Sequence, residues 1–108
     1  MAKLLSASLM CADLTDIKAA VKDLEDASID YIHLDIMDGA FVPNITLGFD
    51  LVNAVKSITD IPLDVHMMVR EPERKLDWIP FGEGDYVSVH YESTRHLHKA
   101  VSAIKARG

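Results

Sequence analysis

Four runs, Leu4 to Leu9, Tyr31 to Met37, Leu63 to Met68 and Tyr86 to Tyr91, set apolar residues at alternate positions. Alternation of period two marks a β-strand with one buried face, so each run predicts a strand. Between the runs the apolar spacing becomes that of a helix. Asp13-Leu14-Thr15-Asp16 offers caps for a helix carrying Ile17, Val21 and Leu24 and ending near Ser28. Gly48 precedes a second, with Leu51, Val52, Val55 and Ile58. Pro72 suits the first turn of a third, with Leu76 and Ile79, which Gly82-Glu83-Gly84 stops. Ser93 or Thr94 can begin a fourth, with Leu97, Val101 and Ile104, closing on Arg107-Gly108.

Strand and helix therefore alternate four times, the order of βαβ units in an α/β fold with a parallel sheet. The two faces of each strand differ in kind. Ser6, Ser8 and Met10 oppose Leu5, Ala7 and Leu9, while His33, Asp35 and Met37 oppose Ile32, Leu34 and Ile36. Asp64, His66 and Met68 oppose Leu63, Val65 and Met67, and Ser88 and His90 oppose Val87, Val89 and Tyr91. An open sheet covered by helices on both sides needs strands that are apolar on both faces. One apolar face per strand implies helices on one side only, as in a closed barrel. There the polar residues point inward and chemistry sits at the C-terminal ends of the strands.

The 108 residues are 49% hydrophobic and 26% charged, the balance of one folded domain rather than a disordered chain. Eleven Lys and Arg against 17 Asp and Glu give a formal charge of −6 with no basic run, which argues against nucleic acid or an anionic membrane as partner. The single cysteine, Cys11, leaves no internal disulfide and fits a reducing compartment. The opening "MAKLLSASLMCADL" is interrupted by Ser6 and Ser8 and followed by Asp13, so it reads as a first strand rather than an export signal. No run approaches the ~20 apolar residues that span a bilayer. A cytoplasmic protein is the expectation.

His33, Asp35 and His66 offer two imidazoles and a carboxylate from adjacent strands, facing one way. Such a mixed set suits Zn²⁺, Fe²⁺, Co²⁺ or Mn²⁺, and spacing does not choose among them. One H-x-D alone is a weak signal, because a core histidine is more often hydrogen-bonded than metal-bound; three inward ligands favour a metal. A carboxylate beside a metal can also move protons. If a substrate's carbonyl and hydroxyl chelate the ion, the metal stabilises the enediolate left when Asp35 removes the proton α to the carbonyl. Met10, Met37 and Met68 either form a polarizable wall near the reacting carbon or simply fill core. His90 either lines the substrate site or is a hydrogen-bonded core histidine. His96 and His98, two apart on a helix, face different sides and read as surface residues. Asp38 reads as a loop cap, Asp64 as a structural residue of the barrel interior, and Trp78 and Phe81 as cover for the outside of the sheet.

In order and spacing, "SASLMCADL", "YIHLDIMDGAFVPNITLG", "PLDVHMMV" and "VSVHYEST…HLH" resemble the first half of the ribulose-5-phosphate 3-epimerase family. The resemblance implies that residues 1–108 are the first four βα units of a (βα)₈ TIM barrel, a half-barrel with no further domain. It implies an isomerase that inverts C3 of a ketose phosphate, D-ribulose 5-phosphate to D-xylulose 5-phosphate, in the pentose phosphate pathway of carbohydrate metabolism. A divalent metal is implied with it, Zn²⁺ or Fe²⁺ before Co²⁺ or Mn²⁺. By the same resemblance His33, Asp35 and His66 match metal ligands and Asp35 one of two acid/base aspartates. Ser8, Met37 and Met68 match residues around the substrate, with His66 and His90 lining the same site. The loop from Asp38 to Asn44, with Gly39 and Pro43 at its turns, resembles the family's loop over the mouth. "SLMC" is closer to the allulose-6-phosphate 3-epimerase branch. Ala7, Ala40 and Glu83 depart from the family pattern, and none touches a matched ligand. The implied barrel takes ~250 residues, so a second acid/base and the phosphate loops must come from elsewhere: a complementary half-barrel, or a second copy in a homo-oligomer. The competing readings are a catalytically silent fold or assembly module and another barrel enzyme.

Overall fold

The computed structural model describes residues 2–46 and 48–108. Strands β1 (Ser6–Ser8), β2 (Tyr31–Met37), β3 (Leu63–Met68) and β4 (Tyr86–Val89) form one parallel sheet in the order β1-β2-β3-β4. Helices α1 (Ile17–Asp26), α2 (Phe49–Ile58) and α3 (Leu97–Lys105) lie between or after them. Consecutive strands are neighbours throughout, which is the connectivity of the first half of a (βα)₈ barrel.

Alternation in β2 and β3 does what the sequence requires. Ile32, Leu34 and Ile36 from β2 and Leu63, Val65 and Met67 from β3 are buried, while the residues between them are only half-buried. The buried face meets Val21 of α1 and Leu51, Val52 and Val55 of α2. Each such side chain contributes about 1.5–3 kcal/mol by leaving water, so the helices are held to one side of the sheet. The start of α1 is fixed by Asp16, whose carboxylate accepts the backbone N–H of Ala19 at 3.2 Å. Below the mouth, Asp85 joins three elements. Its carboxylate accepts the N–H of Leu63 at 2.8 Å and of Gly82 at 3.0 Å, and pairs with Lys56 of α2.

Four sequence expectations are corrected. The third helix does not form: Pro72–Arg74 and Leu76–Trp78 make two 3₁₀ turns instead. Pro80 drives Ile79 into an extended conformation (φ −114°, ψ 129°), leaving too few residues for an α-helix. The exposed carbonyls are taken up by Arg107, whose guanidinium donates to Leu76 O at 2.7 Å and Ile79 O at 2.8 Å and lies 3.9 Å over the Phe81 ring. The first strand is shorter than Leu4 to Leu9. Leu4 and Leu5 are exposed, and Leu9–Cys11 turns into a 3₁₀ segment that buries Leu9. A 3₁₀ turn rotates successive side chains by about 120° rather than 180°, so Met10 leaves the inner face and packs on the core cluster. The fourth strand stops at Val89, and Tyr91–Ser93 is a 3₁₀ turn with Tyr91 exposed. The last helix begins at Leu97: the Ser93 hydroxyl donates to His90 O, and the Thr94 hydroxyl donates to Glu73 and accepts the N–H of His96, just before the helix.

Phe81 is buried, but Trp78 stays largely in water with its edge against Phe49, 5.2 Å between centroids. His96, His98 and Cys11 are exposed. No described helix is long and apolar enough to cross a membrane.

Candidate metal and proton-transfer site

The register of the sheet sets His33 beside Asp64 and Asp35 beside His66, all on the face away from the helices. Asp35 is the centre. His33 Nε2 and His66 Nδ1 each lie 3.0 Å from the same oxygen, Asp35 Oδ1. One ligand atom from each of the three residues falls within 4.8 Å of the other two, the one such group among the described residues. Their side chains are a fifth to a quarter exposed, so water competes for the site only from its open side.

Each ring turns its other nitrogen to a second partner. His33 Nδ1 lies 2.8 Å from Asp64 Oδ2, which also accepts the Ser6 hydroxyl at 2.9 Å. His66 Nε2 lies 2.7 Å from His90 Nε2. Burial pushes the His33 imidazole down, but hydrogen bonds and charge from Asp64, then Asp35, outweigh it and raise the ring above its ordinary value.

The donor set fits a divalent cation of borderline softness. Two imidazole nitrogens and one carboxylate oxygen already converge, and their N–H···O contacts hold protons at the positions a cation would replace. Behind His33 stands Asp64, a carboxylate of the kind that orients metal-binding imidazoles, and behind His66 stands His90.

Around this centre the other expected residues divide. Ser8 stands beside His33 in register, and Met37 and Met68 are register partners at the C-terminal ends of β2 and β3, both half-buried. His90 follows β4, and its ring centroid lies 4.9 Å from that of His66 and 5.0 Å from that of Phe41. Asp38 is a loop cap, as its sequence context suggests. Its Oδ1 accepts the N–H of Ala40 and Phe41 and its Oδ2 that of Arg70, each at 2.9 Å. Burial raises that carboxyl, yet these N–H groups and Lys75 together hold it below the ordinary carboxylate range. Gly39 takes φ +74°, the left-handed region the turn needs.

Sequence reasoning passed over Thr46. Its hydroxyl donates to Asp35 O at 2.8 Å and accepts the Met37 N–H at 2.9 Å, bracing the end of β2 on both sides of Ile36. A threonine nine residues beyond the strand carried no signal of that contact. The partnerships of Asp64 with Ser6 and of His90 with His66 were likewise out of reach, because they depend on register.

Comparison with known proteins adds an independent line. The model of the ribulose-phosphate 3 epimerase family matches residues 4–108. A ribulose-phosphate 3-epimerase of Bacillus subtilis (strain 168) is 45% identical over 101 residues, covering 94% of this chain and 46% of the relative. The chloroplastic ribulose-5-phosphate-3-epimerase of Arabidopsis thaliana is 48% identical over 108 residues, covering 97% of this chain and 38% of the relative. A ribulose-phosphate 3-epimerase of Synechocystis is 39% identical over 103 residues, with 94% and 45% covered. The chain thus spans less than half the length of these curated relatives.

Proposed function

The chain belongs to the ribulose-phosphate 3-epimerase family, and on that premise we propose that it supplies the metal-binding, proton-abstracting half of a sugar-phosphate 3-epimerase. What supports the reading is the convergence of His33 Nε2, Asp35 Oδ1 and His66 Nδ1 on one point at the open face of the sheet. These three residues would hold a divalent cation, Zn²⁺ or Fe²⁺ foremost. When bound, such an ion offsets the negative charge that develops on the substrate's oxygens as the C3 proton leaves.

The chain's own groups do the rest of this half. Asp35 turns Oδ1 to the imidazoles, leaving Oδ2 to take the proton from C3. Asp64 keeps His33 turned so that Nε2 faces the site, and Ser6 holds Asp64 in turn. Met37 and Met68 wall the reacting carbon with apolar surface and keep water from it, while Ser8 contacts the sugar. Inversion needs a second acid on the opposite face of C3. That group and a phosphate site come from a complementary half-barrel, either the part of the barrel that the relatives span beyond this chain or a second copy. D-ribulose 5-phosphate is the substrate we put first, and allulose 6-phosphate, one carbon longer, the alternative.

The test is proton exchange. The metal-loaded chain is incubated with D-ribulose 5-phosphate in heavy water, and NMR follows deuterium at C3 together with xylulose 5-phosphate. Deuterium at C3 is the expected result, with epimer appearing once both acid/base groups are in place. Absence of exchange with metal confirmed bound overturns the proposal and leaves a silent scaffold.

A further inference from the structure

His90 belongs to no part of the proton-abstraction scheme, yet both its backbone carbonyl and its ring are engaged at the mouth. Its carbonyl accepts both the hydroxyl (2.6 Å) and the N–H (3.1 Å) of buried Ser93, which pins the backbone where β4 ends. Its ring lies between Phe41 and His66, the latter at 28° to it and 4.9 Å away. One nitrogen, Nε2, is committed to His66 Nε2 at 2.7 Å. The other, Nδ1, faces outward, 3.9 Å from Glu92 Oε2 on the exposed side.

Two facing ring nitrogens at that distance share one proton, so the tautomers of the two rings are tied together. Without a cation, His66 donates from Nδ1 to Asp35 Oδ1. In the neutral ring its Nε2 is then a lone pair, and the contact needs His90 to carry its proton on Nε2. With a cation on His66 Nδ1, that nitrogen needs its lone pair and the proton sits on Nε2, so the contact survives only if His90 Nε2 becomes the acceptor. His90 must then carry its own proton on Nδ1, toward Glu92. The pair holds two protons before and two after, and its net charge does not change.

We propose that His90 is a positioning residue acting through His66: its Nε2 sets the ring angle and tautomer of His66, and cation binding reverses both tautomers together. The inference rests on the reading of His66 as a cation ligand. Of the two readings the sequence leaves open for His90, it develops the hydrogen-bonded one, because Nε2 is engaged by His66.

Ring-nitrogen correlation NMR of the ¹⁵N-labelled chain, with and without Zn²⁺, reads the tautomers directly. The expected change is His66 from Nδ1–H to Nε2–H and His90 from Nε2–H to Nδ1–H, although His90 does not touch the ion. His90→Phe keeps a ring against Phe41 but has no acceptor, and its affinity for Co²⁺ is expected to fall by about 10–100-fold, with a changed visible spectrum. His90→Gln, which presents an oxygen acceptor, recovers most of the loss. A His90 tautomer that stays on Nε2–H with Zn²⁺ bound, or a His90→Phe chain with unaltered Co²⁺ affinity and spectrum, overturns the inference while leaving the metal site standing. A chain that binds neither ion overturns the site and this inference together.

Discussion

Replacing Asp85 with alanine tests how the barrel units are joined. The carboxylate is 1% exposed in its side chain, accepts two backbone N–H groups from separate segments, and pairs with Lys56, whose side chain is 37% exposed. Hydrogen bonds to a charged acceptor are worth roughly 1.5–3 kcal/mol each, and truncation leaves the Leu63 and Gly82 donors without a partner. Lys56 recovers water, so its share is small, below about 1 kcal/mol. The expected loss is about 3–5 kcal/mol, a large part of the ~5–15 kcal/mol that a domain has in total. In urea, with a slope near ~2 kcal/mol per M, the midpoint should fall by roughly 1.5–2.5 M. Lys56→Met should cost less than Asp85→Ala by the same assay, because the Leu63 and Gly82 N–H bonds to the carboxylate remain. If the two variants lose the same amount, or if Asp85→Ala loses less than about 1 kcal/mol, the N–H bonds are not what joins β3 to β4.

The same residue carries a pH signature. Burial raises the Asp85 carboxyl, but Lys56 and the N–H groups of Leu63 and Gly82 more than reverse this and hold it below the ordinary value of 3.8. A lowered folded value stabilises the native state above the unfolded pKa and loses that contribution as pH falls through the folded one. The stability gap between the wild-type chain and Asp85→Asn should therefore be full near neutrality and shrink below about pH 4; a gap that stays constant to acid pH refutes the assignment.

Gly39→Ala should destabilise the loop over the mouth by about 1–2 kcal/mol. The turn needs φ +74° there, and a Cβ would meet Ile45 Cγ1 at 3.0 Å; thermal unfolding measures it. Asp64→Asn should weaken Zn²⁺ binding by about 10–100-fold in a chelator competition, because the partner that orients His33 loses its charge. Unaltered affinity would remove Asp64 from the site's support.

The parts of the fold that were legible in the sequence are those in which one residue type repeats on a fixed period. In β2, isoleucine and leucine at every second position leave no other assignment for His33 and Asp35 than the opposite face. The segment from Pro72 to Ile79 misleads because its apolar spacing is helical while Pro80, just beyond, forbids the last turn. The outward rotation of Met10 follows from a 3₁₀ turn that local propensity does not signal. The candidate ligands could be named from alternation alone, but their supports could not. Ser6, Asp64, His90 and Thr46 each act across strands or from a loop, and only the register of the sheet brings them to the rings.

The alternation in β2 and β3 gives even and odd positions separate mutational fates. Leu34 and Val65 answer to the helices behind the sheet, and His33, Asp35, Asp64 and His66 answer only to what lies before it. A descendant of this chain can exchange its inward residues one at a time while the packing that keeps it folded is untouched. The strand is in that sense two texts interleaved, one that evolution must copy closely and one that it is free to rewrite, and new chemistry can be drafted on the second without endangering the first.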